Sequence, residues 1–339
     1  MSEGTPRFSL ILTTRNRPAL FGAALASLIA QSFANTEIIV VDDGSDEAHA
    51  AAYQALIDRA RAQLGERLQH HVLLRRRNGH GSGYAMNFGV DSARGEYLCF
   101  LDDDDLWTDA GHLQRADEVM RAAAAEGLPP DLYMSNQEAT RAGQPVVEPV
   151  WIEALEMHLR ARGRRPDARG AYRVGIDELL LTGGFCHLNC LVIRRALYLA
   201  VGGRDEGTGW EGDRDLWLRL VDSAGLMLHH PAVTARHHVP DPAAGTSITT
   251  ALGLVERRLW QLRVTDRAML FLKSPALREH GRRHKGYALK RLASELASQG
   301  DWRTASRYAL RAMAVLPTAK WATFTIVCLF QRLFQRARD

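Results

Sequence analysis

Glu96–Trp107, EYLCFLDDDDLW, restricts the possible folds more than any other stretch. Its first half is a short apolar run, Tyr97 to Leu101, with the length and character of a buried strand. Four consecutive carboxylates follow, Asp102, Asp103, Asp104 and Asp105. Two unit charges ~4 Å apart repel by about 4 kcal/mol at an effective dielectric of 20, so four acids at the mouth of a core strand need a partner. A hard divalent cation, Mg²⁺ or Mn²⁺, fits, because it takes oxygen ligands and keeps positions open for phosphate oxygens. The competing reading is a solvated acidic turn that caps the next helix.

The N-terminal pattern supplies the sheet around that strand. Phe8–Thr13, FSLILT, is continuously apolar and reads as a first buried strand. Asn16-Arg17-Pro18 signals a helix start, and Leu20, Phe21, Leu25, Leu28 and Ile29 recur behind it at helical spacing. Glu37–Val41 is the second strand and ends in Asp42-Asp43-Gly44-Ser45. Strand, helix and strand in this order predict a right-handed βαβ unit with a parallel sheet, and so an α/β fold. Ligands of such sheets sit beyond the carboxyl ends of the strands, where Thr13, Asp43 and the Asp102–Asp105 run all fall.

A third strand is predicted at Val72–Leu74, before Arg75-Arg76-Arg77 and the glycine-rich Asn78–Gly83. Glycines let a backbone approach a phosphate, and a helix from about Tyr84 would point its N-terminus at that anion. A dinucleotide fingerprint is disfavoured, because the glycines follow the third strand rather than opening the first unit. Further on, Asp109–Glu126 reads as a helix, and Asp131–Ser135 and Cys190–Ile193 as strands. Residues 141–175 are weakly patterned and read as loops on the acceptor side. His229-His230 reads as a strand end. Gly209–Asp215 opens the amphipathic helix LWLRLV, where the acids have an ordinary reading as complements of the helix dipole. Cys186-His187-Leu188-Asn189-Cys190 lacks the second half that a zinc site needs, so the cysteines read as packing groups.

These blocks, in this order and spacing, resemble the family 2 glycosyltransferases of the GT-A fold over roughly the first 240 residues. The opening block is FSLILTTRNRPALFGAALASLIAQSFANTEIIVVDDGSDE. The middle one comprises Asn78-Gly79 through Ala85, Asn87 and Gly89, then GEYLCFLDDDD. GWEGDRDLWLRL and ARHHVPDPAAGTSIT complete the match. The resemblance implies a GT-A nucleotide-diphospho-sugar transferase fold and an inverting sugar transfer that depends on Mn²⁺ or Mg²⁺. Thr13 and Asp43 would line a uracil or thymine pocket, with Asp43 accepting the N3 proton of the base, and Arg15 would contact the nucleotide. Asp102-Asp103-Asp104 would be the DxD motif, with Asp104 on the metal, Asp103 at the ribose and Asp102 ordering the loop. Asp213 stands at the place of the catalytic base. The Glu that usually precedes the base is Gly212 here, so Glu211 is a second candidate. An Arg of the family is replaced by Met86, which leaves Arg77 to contact the nucleotide. Arg236 and Ser247 would bind phosphate, and His238 would complete the metal shell. Trp210 and Asn189 would face the acceptor.

The chain divides by charge. The net +4 is the sum of −8 before Ala251 and +12 from Ala251 onward. A catalytic domain over 1–250 and a basic helical region over 251–339 are predicted. KRLASELASQGDWRTASRYALRAM has the pattern of one tetratricopeptide-like hairpin with its turn at Gly300-Asp301. Trp321–Phe334 mixes aromatic and aliphatic residues with cations, too short an uncharged stretch for a span of ~18 residues. It reads equally as an interfacial amphipathic helix or as a helix packed on the hairpin. Few cysteines and no leader pattern suggest a cytoplasmic protein, peripheral at the inner face of the membrane if that helix is interfacial. No nucleic-acid motif is present. The expected partners are a UDP- or dTDP-sugar donor and a saccharide or lipid-linked saccharide acceptor. Two rivals use the same acids. A sugar-phosphate nucleotidyltransferase would open with a Gly-rich basic loop that TTRNRPAL lacks, and a silent nucleotide-sugar-binding scaffold would bind without transfer.

Overall fold

A computed structural model of the chain describes residues 4–127, 129–146, 151–240 and 252–336. Two compact units are present, Met1–Gly207 with Ser223–Val239, and Thr208–Asp222 with Pro240–Asp339. The segment carrying Trp210, Glu211 and Asp213 therefore groups with the C-terminal helices, whereas its sequence position put it inside a 1–250 domain.

The first unit is built on one sheet. Strands β1 (Phe8–Thr14), β2 (Thr36–Asp42) and β4 (Tyr97–Asp102) are parallel, with β1 between the other two. All seven residues of β1 are buried, as its unbroken apolar run requires of a strand covered on both faces. Helix α1 (Pro18–Ile29) starts with Pro at its first turn and buries Phe21, Ala24, Leu25 and Leu28. Helix α2 (Glu47–Leu64) leads to the third strand. That strand is β3, Leu68–Val72, earlier than predicted, and Val72 and Leu74 are strongly exposed. β3 is the edge strand beside β2. An edge strand is not buried on both sides, so LQHHV lacks the apolar run that marks the central strands.

Helix α3 (Ser82–Ser92) lies against β1 and β2 with Gly89 at the contact. A Cβ at Gly89 would stand 2.8 Å from Ile11 Cγ2 and 3.3 Å from Val41 Cγ2. Gly89→Ala is therefore expected to destabilise the protein by ~1–3 kcal/mol through overpacking, read as a lowered thermal midpoint.

Beyond β4, the order continues with β5 (Leu106–Trp107), α4 (His112–Ala125), β6 (Leu132–Arg141), β7 (Gln144–Val146), α5 (Leu155–Ala161), β8 (Tyr172–Val174) and α6 (Ile176–Leu179). Then come β9 (Leu191–Arg194), α7 (Arg195–Ala200), α8 (Gly212–Ser223) and β10 (Met227–His238). The sheet order is β3-β2-β1-β4-β9-β6-β10-β5. The described residues of 141–175 thus hold three short elements where loops were predicted, each too short to show a period. His229-His230 lies inside β10, next to a register shift, and not at a strand end.

The second unit carries the helices read from the sequence, α9 (Leu254–Phe271), α10 (Pro275–Ser298), α11 (Trp302–Val315) and α12 (Ala319–Arg336). The hairpin turn is where it was expected. Gly300 takes φ +81°, and Asp301 caps α11 by accepting from Thr304 N at 2.9 Å. Leu292, Ala293, Ala305, Ala309, Ala312, Trp321 and Cys328 form its core.

Candidate active site

The acidic run is sorted by its turn. Thr13 of β1 pairs in register with Asp102 of β4, so both strand ends open on the same edge. Asp105 N donates to Asp102 O at 3.1 Å, which closes a tight turn and aims the four side chains differently. Asp105 points inward and is fully buried. It accepts from Asn189 Nδ2 at 2.5 Å, from His237 Nδ1 at 2.8 Å and from the His238 N–H at 2.7 Å. Burial opposes its charge, but the His237 hydrogen bond and charge outweigh that and hold its carboxyl below the ordinary range. His237 is correspondingly raised: burial lowers it, and the Asp105 bond and charge more than reverse the effect.

Asp103 is also buried. It accepts from Thr14 Oγ1 at 2.6 Å and pairs with the Arg17 guanidinium. Burial pushes its carboxyl up to about 6, with Arg17 and Thr14 pulling the other way. Asp104 is a quarter exposed and accepts from Arg17 Nη1 at 2.7 Å. One arginine thus answers two of the four acids, a cation that the sequence reading did not supply. Tyr53 supports this corner, its hydroxyl 2.8 Å from Thr14 Oγ1 and accepting from Arg17 N at 2.9 Å.

The histidines reach the turn through strand pairing. β10 runs antiparallel to β5, with Arg236 opposite Leu106 and Ala235 opposite Trp107. The residues after this pairing therefore fall beside the acids just before β5. His238 Nδ1 donates to the Asp104 backbone carbonyl at 2.5 Å. With Nδ1 carrying the proton, Nε2 keeps the lone pair, the arrangement usual for a metal-binding imidazole. Among the described residues one cluster of three potential ligands occurs, and it is a different one: Asp105, His187 and His237, with ligand atoms within 4.8 Å of one another. The Asp105 carboxylate there is already satisfied by three donors.

At the other strand ends the glycine loop meets an anion, and that anion is a side chain. Asp43 accepts from His80 N at 2.7 Å and from Gly81 N at 2.9 Å. Gly79 takes φ +69°, and a Cβ there would stand 2.4 Å from Asp43 Oδ2. Two of about four acceptor positions of a carboxylate are used this way. Arg15 spans the same loop, donating to Arg76 O at 3.2 Å and Arg77 O at 3.0 Å. Thr13, Arg15, Asp43 and the Arg77 backbone are thus collected at one edge, with the Arg77 side chain exposed.

Other expected residues stand differently. Asn189, read as facing the acceptor, is buried and clamps the acidic turn, its Oδ1 accepting from Asp102 N at 3.4 Å. Arg236 donates to Glu138 Oε1 at 2.7 Å on the neighbouring strand. Ser247 lies outside the described residues. In the second unit Trp210 and Asp213 are half-buried. Glu211 takes φ +66°, uncommon for a side chain of this kind. Its carboxylate accepts from Arg214 Nε at 2.6 Å and Gln261 Nε2 at 3.0 Å.

Sequence reasoning missed Arg17, Tyr53, His237 and Arg204. Arg17 was visible only as part of a helix start. Arg204 is buried, with Nη1 3.6 Å from the sulfur of Met86, the residue that replaces a family arginine.

The profile described as glycosyl transferase family 2 matches residues 9–198. A PGL/p-HBAD biosynthesis glycosyltransferase of Mycobacterium tuberculosis is 36% identical over 230 residues, covering 66% of this chain and 73% of the relative. The match to an uncharacterized glycosyltransferase of Nostoc sp. spans 35% of that protein. Two solved structures share the GT-A-like α/β fold. S. aureus TarS 1–349 in complex with UDP-GlcNAc has a TM-score of 0.64 at 17% identity, over 96% of this chain and 87% of that one. The mannosyltransferase PcManGT of Pyrobaculum calidifontis, in complex with GDP-Man and Mn²⁺, has a TM-score of 0.54 at 18% identity, over 97% and 85%. With the βαβ opening, the acidic turn and a family profile spanning more than half of its length, the chain belongs to glycosyl transferase family 2.

Proposed function

We propose that this glycosyltransferase moves a sugar from a UDP- or dTDP-sugar to a hydroxyl of a saccharide or lipid-linked saccharide, with inversion at the anomeric carbon and with Mn²⁺ or Mg²⁺ bound. The product would serve cell-surface polysaccharide or glycolipid assembly on the cytoplasmic side of the membrane. The observation that carries the reading is the sorting of the acidic run: Asp105 is locked inward, while Asp104 stays accessible beside His238.

Asp104 and His238 fit a divalent ion as a carboxylate oxygen and an imidazole nitrogen, a donor set that suits Mn²⁺ better than Mg²⁺. When bound, such an ion supplies Lewis-acid stabilisation of the departing diphosphate. Arg17, now paired with Asp104, is placed to exchange that partner for phosphate oxygens. Asp43, with acceptor capacity left after its two loop bonds, accepts a hydrogen bond from the N3–H of the base, and Thr13 and Arg15 flank it. Asp103 holds Thr14 and Arg17 in place. Asp213 removes the proton of the attacking acceptor hydroxyl. The alternative base, Glu211, has both carboxylate oxygens engaged by Arg214 and Gln261. One direct displacement inverts the anomeric centre.

A thermal-shift series with UDP, dTDP, GDP and CMP, each with and without Mn²⁺, tests the donor class. Ligand at 100 times its dissociation constant stabilises by about 2.7 kcal/mol, so a uridine or thymidine diphosphate should raise the midpoint, and more so with Mn²⁺. A response to GDP alone would overturn the base assignment. No response to any nucleotide would overturn the donor reading altogether.

A further inference from the structure

Helix α12 presents two faces, and only one of them is explained by the hairpin. Trp321, Thr325 and Cys328 are buried, and Trp321 Nε1 donates to Ala309 O at 3.1 Å. Turned away from these, Ile326, Val327, Phe330, Leu333 and Phe334 are 45–65% exposed. Their spacing of three and four residues puts them on one stripe of the helix, a contiguous apolar strip rather than scattered surface residues. Val327 is also a wall of a cavity of about 690 Å³ whose floor is the stacked pair Trp321–Phe324. Lys290, Ser294, Thr318 and Lys320 supply its polar rim. Lys290 Nζ donates to Thr318 Oγ1 at 3.4 Å and lies 5.6 Å from the Trp321 ring centroid.

The charge carried by α11 and α12 themselves is of one sign. From Trp302 to Arg338 the sequence has seven Lys and Arg residues and no Asp or Glu. A second copy laid face to face on this stripe would set like charges against each other. An anionic surface with an apolar interior complements both features at once. No described helix is long and apolar enough to cross a membrane, so the contact is interfacial.

We propose that the exposed stripe of α12 lies in the interface of an anionic phospholipid membrane, with the Lys290–Lys320 cleft taking a lipid phosphate. This deepens the membrane-side placement proposed above by naming the surface that makes the contact, and it does not depend on the donor or the metal.

The test is co-sedimentation of the full chain with phosphatidylglycerol-containing vesicles and with pure phosphatidylcholine vesicles. Binding to the anionic vesicles is expected to be at least about tenfold tighter and to weaken with added salt. Phe330→Glu with Leu333→Glu should abolish it, and Lys290→Glu with Lys320→Glu should reduce it about tenfold or more. All four side chains are outside the hairpin core, and an unchanged thermal midpoint will show that the variants fold. Equal binding to both vesicle types, no binding, or binding indifferent to Phe330→Glu with Leu333→Glu would overturn the proposal. So would a dimer seen by light scattering that the same double variant dissolves, or midpoint stabilisation by inorganic phosphate with no vesicle binding. The nucleotide thermal-shift response of these variants reads the donor site separately, so failure here and failure of the donor reading are distinguishable.

Discussion

Asp213→Asn is expected to lower kcat by about 10²–10⁴-fold, the usual cost of losing a general base, with little change in the affinity for the nucleoside diphosphate. An amide keeps the size of the side chain but cannot take the acceptor proton, so binding survives and transfer does not. Glu211→Gln is the control. Glu211 accepts from Arg214 and Gln261, and an amide oxygen can still accept one of those bonds. Its kcat is expected to stay within roughly tenfold of the parent, since it lies outside the proton transfer. The measurement is steady-state transfer for both variants beside the Kd for UDP. A full rate for Asp213→Asn together with a collapse for Glu211→Gln would move the base to Glu211, whose positive φ would then be strain held at the reacting centre.

Asp105→Ala is expected to cost about 3–5 kcal/mol of stability, as breaking a buried charge pair from one side does. Removing this carboxylate leaves His237 Nδ1, Asn189 Nδ2 and the His238 N–H without their acceptor in a buried pocket. The thermal midpoint should fall by several degrees, and Mn²⁺-dependent nucleotide stabilisation should fall with it, because His238 is held to the turn through that backbone bond. The neighbouring Asp104→Ala should behave in the opposite way, with a midpoint near that of the parent and the metal response lost. An unchanged midpoint for Asp105→Ala would show that the turn is held by other means.

The comparison of these adjacent aspartates shows how far the sequence could be read. An apolar run ending in acids, after a βαβ opening, was enough to predict a parallel sheet with charged groups at its carboxyl edge. Burial on both faces leaves β1 and β4 no other composition. The edge strand β3 was misread by a few residues because one open side relaxes that demand. The clustering of Thr13, Asp43 and Asp102 was likewise legible, since the carboxyl ends of neighbouring parallel strands must lie together. The helical hairpin was readable from its period and its Gly300-Asp301 turn.

By itself, then, the sequence determined the class of fold, the edge of the sheet where polar chemistry gathers and the basic, helical character of the C-terminal region. These follow from local periodicity, and local periodicity is what a linear reading contains. Only the tertiary structure decided what each acid does. Arg17 reaches Asp104 across 87 residues and His237 reaches Asp105 across 132. Asn189, read as an acceptor contact, became a clamp on the turn through a bond across 84 residues. A carboxylate becomes scaffold or ligand according to how many donors surround it and how much water remains, and both depend on chain segments far from it in sequence.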